Sequence, residues 1–412
     1  MNLFTVRITV DKKIELLSPA GDMEKLIMSV TYGADAVYLA GNMFGMRAAA
    51  GNFDEEQLRQ AVNFCHEKGV AVHVTCNTVP RNNEVALLPS YLEFLQDAGV
   101  DALIIADVGV MALAKKYAPK AELHVSTQMG VANYETARAL YDMGAKRVVL
   151  ARELSLDDIA TLRAKTPADL EIETFIHGAM CVSFSGRCLL SNYLIDRDAN
   201  RGQCAQPCRW KFHLVEERRP GEYFQISEDN GTYILNSRDM RMIEHIPELM
   251  AAGVDSLKIE GRAKSSYYAA AVTNAYRHAV DAALRGEKLD EIWIRETEHV
   301  SHREYSTVFY YDHSGPGQFY GSAMYFTDCD VAAYVEDCGD DLVGHLTQRN
   351  KFSVGDTLSL ITPDGGEPVT FTAQGMRSMD GEDLETLPHP MMEFTMPLPV
   401  KAPKYSIVRK MK

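Results

Sequence analysis

One short design recurs along the first 265 residues: TYGADAVYL from Thr31, DAGVDALII from Asp97, DMGAKRVVL from Asp142 and AAGVDSLKI from Ala251. Each reads as the end of a helix, a glycine suited to a left-handed cap, a tight turn and an apolar run. Eight runs of this kind are found, at 15–21 (ELLSPAG), 36–41 (AVYLAG), 71–78 (AVHVTCNT) and 102–107 (ALIIAD), then 122–128 (ELHVSTQ), 147–152 (RVVLAR), 171–178 (EIETFIHG) and 256–262 (SLKIEGR). Continuous apolar runs of this length predict strands buried on both faces. Amphipathic helical stretches lie between them, at 23–32, 55–68, 88–98 and 134–143. Gly33, Gly69, Gly99, Gly144 and Gly253 stand where helices should end. Eight such units predict an α/β chain built on a (β/α)8 TIM-like barrel. A doubly wound open sheet is the alternative, but no GxGxxG follows the first run to mark a dinucleotide site.

A barrel gathers its reactive groups at the C-terminal ends of the strands. Here those positions carry Asn77, Asp107, Gln128, Arg152, His177, Glu260 and Arg262. Directly after the seventh run comes Cys181, then Cys188, Cys204 and Cys208, in the spacing C-x6-C-x15-C-x3-C. Four thiolates complete a zinc site or an iron–sulfur cluster. The competing reading is four unrelated thiols packed as small apolar groups. Arg187, Arg197, Arg201, Arg209 and Lys211 crowd the same segment, either as a local basic site or as solvated charges paired with Asp196 and Asp198.

The 412 residues suit one large domain and a smaller one. The barrel domain is expected over 1–300, with an insertion at about 180–253 that carries the cysteines and a hairpin. Its strands are expected at 210–217 (WKFHLVEE) and 233–235 (YIL). A helix at 265–285 follows the barrel, and a tyrosine-dense linker takes up 301–322. From 323 to 412 short alternating strands with DG, GD and GG turns predict a small β-barrel or sandwich. Composition is that of a globular enzyme, 46% hydrophobic and 24% charged. No apolar run is long enough for a membrane span, and the first residues lack a signal-peptide layout. A cytoplasmic location is expected, where thiols stay reduced and disulfides are disfavoured. Net charge is −15, which opposes non-specific nucleic-acid binding but leaves room for a local basic site.

The segments ETFIHGAMCVSFSGRCLLS and RGQCAQPCR, with ELLSPAGD, GADAVYLAG, LNSRDM and SLKIEGRAKSSYY, resemble peptidase family U32, the collagenase-like proteins. The resemblance runs nearly end to end, and the appended β domain is most similar to the branch that modifies tRNA. That resemblance implies prephenate-dependent 5-hydroxylation of the wobble uridine. It also implies tRNA as partner and a 4Fe-4S cluster on Cys181, Cys188, Cys204 and Cys208, with zinc as the alternative metal and a paralogous subunit as a further partner. Peptidase activity is the alternative function. Against it, the sequence has no HExxH, since Lys68, Gly69 and Val70 follow His66-Glu67, and no GxSxG.

Within this reading His177, Glu260 and Arg262 are the catalytic candidates, although His177 has the alternative of a capped histidine at a strand end and Arg262 that of a structural bridge to Glu260. Gln128, Arg152, Arg201 and Arg209 are the substrate-binding candidates. A dicarboxylate calls for arginine, and Arg152, Arg209 and Arg262 are the residues considered for it. Tyr305, Phe309, Tyr310 and Tyr311 are candidate stacking surfaces for RNA, with a core role as the alternative.

Overall fold

Each of the eight apolar runs forms a strand: β1 (Glu15–Pro19), β2 (Ala36–Leu39), β3 (Ala71–Cys76), β4 (Ala102–Ile105), β5 (Glu122–Val125), β6 (Arg147–Val149), β7 (Glu171–Ala179) and β8 (Ser256–Ile259). The computed structural model describes residues 14–46, 51–181, 183–184, 187–199, 202–210, 214–215, 223–224, 237–311 and 325–412. Successive strands pair in parallel, and β8 pairs with both β7 and β1, so the sheet closes into the expected barrel. The five cap glycines all take positive φ. Helix starts are equally conventional: Asp54 and Gln57 form a reciprocal capping box before Glu55–Glu67, and Asp22 caps Met23–Thr31.

Leu17, Ala36, Tyr38 and Ile104 form an apolar layer of their own in the sheet. Toward the strand starts the chain places charge where many barrels carry branched apolar residues. Arg147 on β6 bonds Glu15 on β1, approaches Glu171 at 2.7 Å and lies 3.0 Å from Glu173 on β7. Ser256 Oγ donates to Glu15 at 2.8 Å, and the edge of His73 meets His124 at 4.8 Å between ring centroids. Burial works to neutralise Glu173, but Lys258 and Arg147 outweigh it and hold its carboxyl near 2. Burial likewise lowers His73 and His124, so both rings are uncharged at neutral pH.

β7 runs past the barrel rim. Its end pairs antiparallel with a short strand Asp239–Arg241, which itself pairs with Tyr305–Ser306 from the linker. Asp239 and Arg303, both almost fully buried, lock this extension through the guanidinium Nε at 3.0 Å. Gly178 sits at the bend with φ +105°, and a Cβ there would come within 2.5 Å of the Glu260 carbonyl oxygen. In the insertion Leu214–Val215 pairs with Tyr223–Phe224. The strand expected at 233–235 lies outside the described residues.

The C-terminal domain is a seven-stranded antiparallel sheet with a separate two-stranded ribbon, Phe352–Ser353 and Thr386–Leu387. Its core includes Leu346, Phe352, Leu358, Phe394 and Val408. The domain packs on the barrel through the helix Ser266–Arg285, buried over most of its length. Arg409, from the strand Ile407–Met411, makes a bidentate bond to Glu296 at 2.6 and 2.8 Å and a third bond to Tyr267. Tyr32 of the barrel donates its hydroxyl to the Tyr405 carbonyl at 3.0 Å.

Candidate functional site

At the C-terminal rim the strand ends enclose a cavity of about 120 Å³. Its walls include Asn77, Gln128, Arg152, Glu260 and Arg262 from the strand ends, and Cys181, Cys188 and Cys204 from the segment after β7. The sequence-derived candidates thus come together from positions up to 185 residues apart, Asn77 to Arg262. Barrel geometry alone brings them there.

Each strand-end group is held by its neighbours. The Arg262 guanidinium donates to Thr75 Oγ1 at 3.2 Å and to Asn52 Oδ1 at 2.9 Å, and the residue is 3% exposed. Glu260 Oε2 accepts from the Tyr38 hydroxyl at 3.4 Å, while the Tyr268 hydroxyl donates to the Glu260 carbonyl at 2.8 Å. Arg152 lies over the Phe175 ring at 4.1 Å and donates Nη1 to the Ala179 carbonyl at 3.0 Å. Gln128 accepts at its carbonyl from Arg187 Nε at 2.6 Å.

Sequence reasoning missed Lys258, Tyr38, Thr75, Ser126 and Phe175, which also line the cavity. For Lys258 the signal was available. In SLKIEGR, positions 258, 260 and 262 alternate onto one face, so a reading of Glu260 and Arg262 implies Lys258 as well.

Three of the expected residues lie elsewhere. His177 is 1% exposed and does not line the cavity. It packs against Tyr276, Tyr268 and Tyr305, with Nδ1 at 3.3 Å from the Tyr276 hydroxyl. Burial lowers its pKa to about 3 despite the attraction of Asp239, so it is a neutral, bonded ring and a poor proton acceptor. Arg209 points to the linker, donating to Tyr325 Oη at 2.7 Å and to Gln206 Oε1 at 2.9 Å. Asp107 caps the helix Val108–Tyr117 through the Val110 amide. Arg201 lies outside the described residues.

The linker aromatics divide between the two readings. Tyr310 is buried with its hydroxyl on the Phe175 carbonyl, and Tyr305 stacks on His302 at 4.2 Å. Tyr311 alone of the four is exposed, 52%, and it bonds His245 at 2.8 Å. Tyr305 and Tyr310 thus take the core alternative, completing the β7 extension.

The four thiols are free. Cys208 does not line the cavity, yet it is near enough to the others to feel them. Burial pushes its pKa up, and the Cys181, Cys204 and Cys188 charges add to that against the pull of Arg209. Among the described residues no three His, Cys, Asp or Glu side chains are already gathered as metal ligands. The donor set nevertheless fits a thiolate-bound group. The amides of Leu190 and Gln206 point at Cys188 Sγ and Cys204 Sγ, each at 3.4 Å, which is the bonding that favours sulfur in its anionic form.

Fold and site together define a (β/α)8 barrel protein with a thiol-lined mouth and an appended β domain. The chain belongs to peptidase family U32: that family's profile matches residues 21–318, and the profile of its C-terminal domain matches residues 327–409. Among its relatives is "tRNA hydroxylation protein P1" of Bacillus subtilis (strain 168), 36% identical over 97% of this chain and 96% of that one. Another, "23S rRNA 5-hydroxycytidine C2501 synthase" of Escherichia coli (strain K12), is 36% identical over 72% of this chain and 45% of its own. A third, "Collagenase" of Porphyromonas gingivalis (strain ATCC BAA-308 / W83), is 36% identical over 66% of each.

Proposed function

We propose that this protein is an RNA-hydroxylating enzyme, and more narrowly that it 5-hydroxylates the wobble uridine of tRNA with prephenate as co-substrate. The observation that carries this reading is the likeness, across 97% of the chain, to a protein named for tRNA hydroxylation. The chemistry of the cavity supports it. Cys181, Cys188 and Cys204, with Cys208 beside them, would hold a 4Fe-4S cluster, zinc being the alternative. When bound, the cluster supplies redox chemistry that side chains lack.

The chain's own groups have separate tasks. Exchanging C5–H for C5–OH adds an oxygen atom and removes two electrons, which an oxygen donor and an electron acceptor from outside the side chains must handle, and it releases the C5 proton. Glu260 is the carboxylate among the described lining residues that can take it. Arg262 gives the wall a cation suited to a carboxylate of a co-substrate, while the Lys258 ammonium is held by Glu173. His177 acts at one remove, fixing the β7 extension from which the thiols hang. A paralogous partner subunit, implied by the family resemblance, belongs to this reading too. Phe184, Leu189 and Tyr193, exposed beside the thiols, offer it an apolar surface.

The test is reconstitution. Anaerobically purified, iron-loaded protein given tRNA and prephenate should produce 5-hydroxyuridine, read by mass spectrometry of the digested nucleosides. Peptidase activity is the second reading, favoured by the collagenase relative. Against it, the histidine nearest Cys181 in sequence is taken up by tyrosines. Degradation of gelatin by protein that neither binds nor modifies RNA would replace the first reading with the second.

A further inference from the structure

Among the buried polar atoms without a hydrogen-bond partner among the described residues are Gln128 Oε1, an acceptor, and Arg152 Nε–H, a donor, both from residues that line the cavity. A buried donor or acceptor left unmade costs about 1–3 kcal/mol, so a ligand that meets both gains from each. The two belong together. β5 and β6 are neighbours with Val125 opposite Val148, and Gln128 and Arg152 follow a few residues beyond that pair. Arg152 cannot swing away, because its Nη1 is tied to Ala179 and its plane lies on Phe175.

The Arg152 guanidinium by itself would suit an anion, but a carboxylate has no proton to give Gln128 Oε1 and would leave that acceptor unmet, and Arg262 lines the same cavity to receive it. The pair suits a neutral amide or imide edge. We propose that the target pyrimidine leaves the RNA stack and enters the barrel cavity, N3–H donating to Gln128 Oε1 and a ring carbonyl accepting from Arg152 Nε–H. This inference rests on the RNA-hydroxylation reading and specifies how its substrate is held. Tyr38 and Phe175 supply the apolar walls that an unstacked ring requires. Held by N3 and one carbonyl, the ring leaves its C5–C6 edge turned into the cavity that Glu260 also lines. A base inside a stacked anticodon loop could not reach this depth, so eversion and edge recognition are one event.

The test uses an anticodon stem-loop with 2-aminopurine immediately 3′ of the target uridine, bound to the anaerobically purified full-length protein. Eversion unstacks the aminopurine and its fluorescence should rise several-fold at saturation. N3-methyluridine at the target removes the donor while leaving the protein untouched. It should abolish the rise and weaken capture about tenfold, the worth of one buried hydrogen bond. Gln128→Leu should lose the rise and Gln128→Glu, which keeps an acceptor, should recover it. Saturable binding with no rise, or a rise equal for uridine and N3-methyluridine, overturns the inference and leaves the RNA-hydroxylation reading standing. No binding of the stem-loop or of tRNA at low salt overturns both.

Discussion

Lys258 and Glu173 meet on the paired strands β7 and β8, ammonium Nζ 2.7 Å from carboxylate Oε1, both side chains buried. The lysine therefore joins two systems. Its ammonium lies 4.4 Å from the Tyr38 ring, which lines the cavity, and its partner Glu173 belongs to the charged lattice organised by Arg147. The floor of the site and the base of the barrel are one electrostatic unit.

Removing the centre of that unit should be costly. Arg147→Met leaves Glu15, Glu171 and Glu173 without their shared cation, and breaking one partner of a buried pair costs about 3–5 kcal/mol. Urea unfolding should show a loss of that size. A loss below about 1 kcal/mol would mean that the lattice is better solvated than its burial indicates.

Acid should destabilise the fold early. His177 has its pKa lowered from 6.5 to about 3 by burial. The unfolded chain therefore binds a proton that the folded one refuses, and stability is full above 6.5 and falls as pH drops from there toward 3. His73 and His124, also lowered by burial, add in the same direction. Glu173, lowered to about 2, continues the loss below 4.5. Melting temperature should decline steadily from pH 7 to 5, and a flat profile there would refute the assignment of three neutral buried rings.

Thiol replacement should separate two sets of cysteines. Cys181→Ser, Cys188→Ser and Cys204→Ser should each lower the iron content and visible absorbance of anaerobically purified protein. Changes at Cys65, Cys76, Cys329 and Cys338, which are buried and do not line the mouth, should not. Burial pushes the thiols of Cys65 and Cys76 up to about 12, so alkylation at pH 8 should also pass them over. Iron retained in all three mouth variants would exclude the cluster from this segment.

The pair Arg409–Glu296 should couple the two domains. Glu296→Gln leaves the guanidinium buried beside an uncharged partner, which should lower the melting temperature by several degrees. A single transition at an unchanged temperature would show that apolar packing alone holds the interface.

The barrel was legible because its signals are local. Each strand is a continuous apolar run, and each glycine cap lies within a few residues of the helix it ends. The mouth was legible for a derived reason: once eight strands are counted, their ends must converge, so Gln128, Arg152 and Glu260 could be placed together without any contact being visible. What escaped were long-range pairings of charges. Glu15, Arg147 and Glu173 each sit singly within an apolar run, where a charge reads as a strand boundary, and their partners lie on other strands. His177 stood between two readings, and the capped one fits because β7 continues past it instead of stopping there. The linker tyrosines likewise stood between surface and core, since the strand Asp239–Arg241 that receives them has only three residues and no period to detect.

Placing Arg409 in the sheet's inner strand has a consequence for the order in which the protein is made. The helix Ser266–Arg285 leaves the ribosome more than a hundred residues ahead of the strand that covers Tyr267 and neutralises Glu296. At about 5–20 residues per second that interval lasts several seconds or longer. During it the barrel can close between β8 and β1 while its flank remains apolar and carries a carboxylate without its cation. The newborn chain thus passes through a stage at which the barrel mouth is complete and this flank is still adhesive, and the strand Ile407–Met411 ends that exposure.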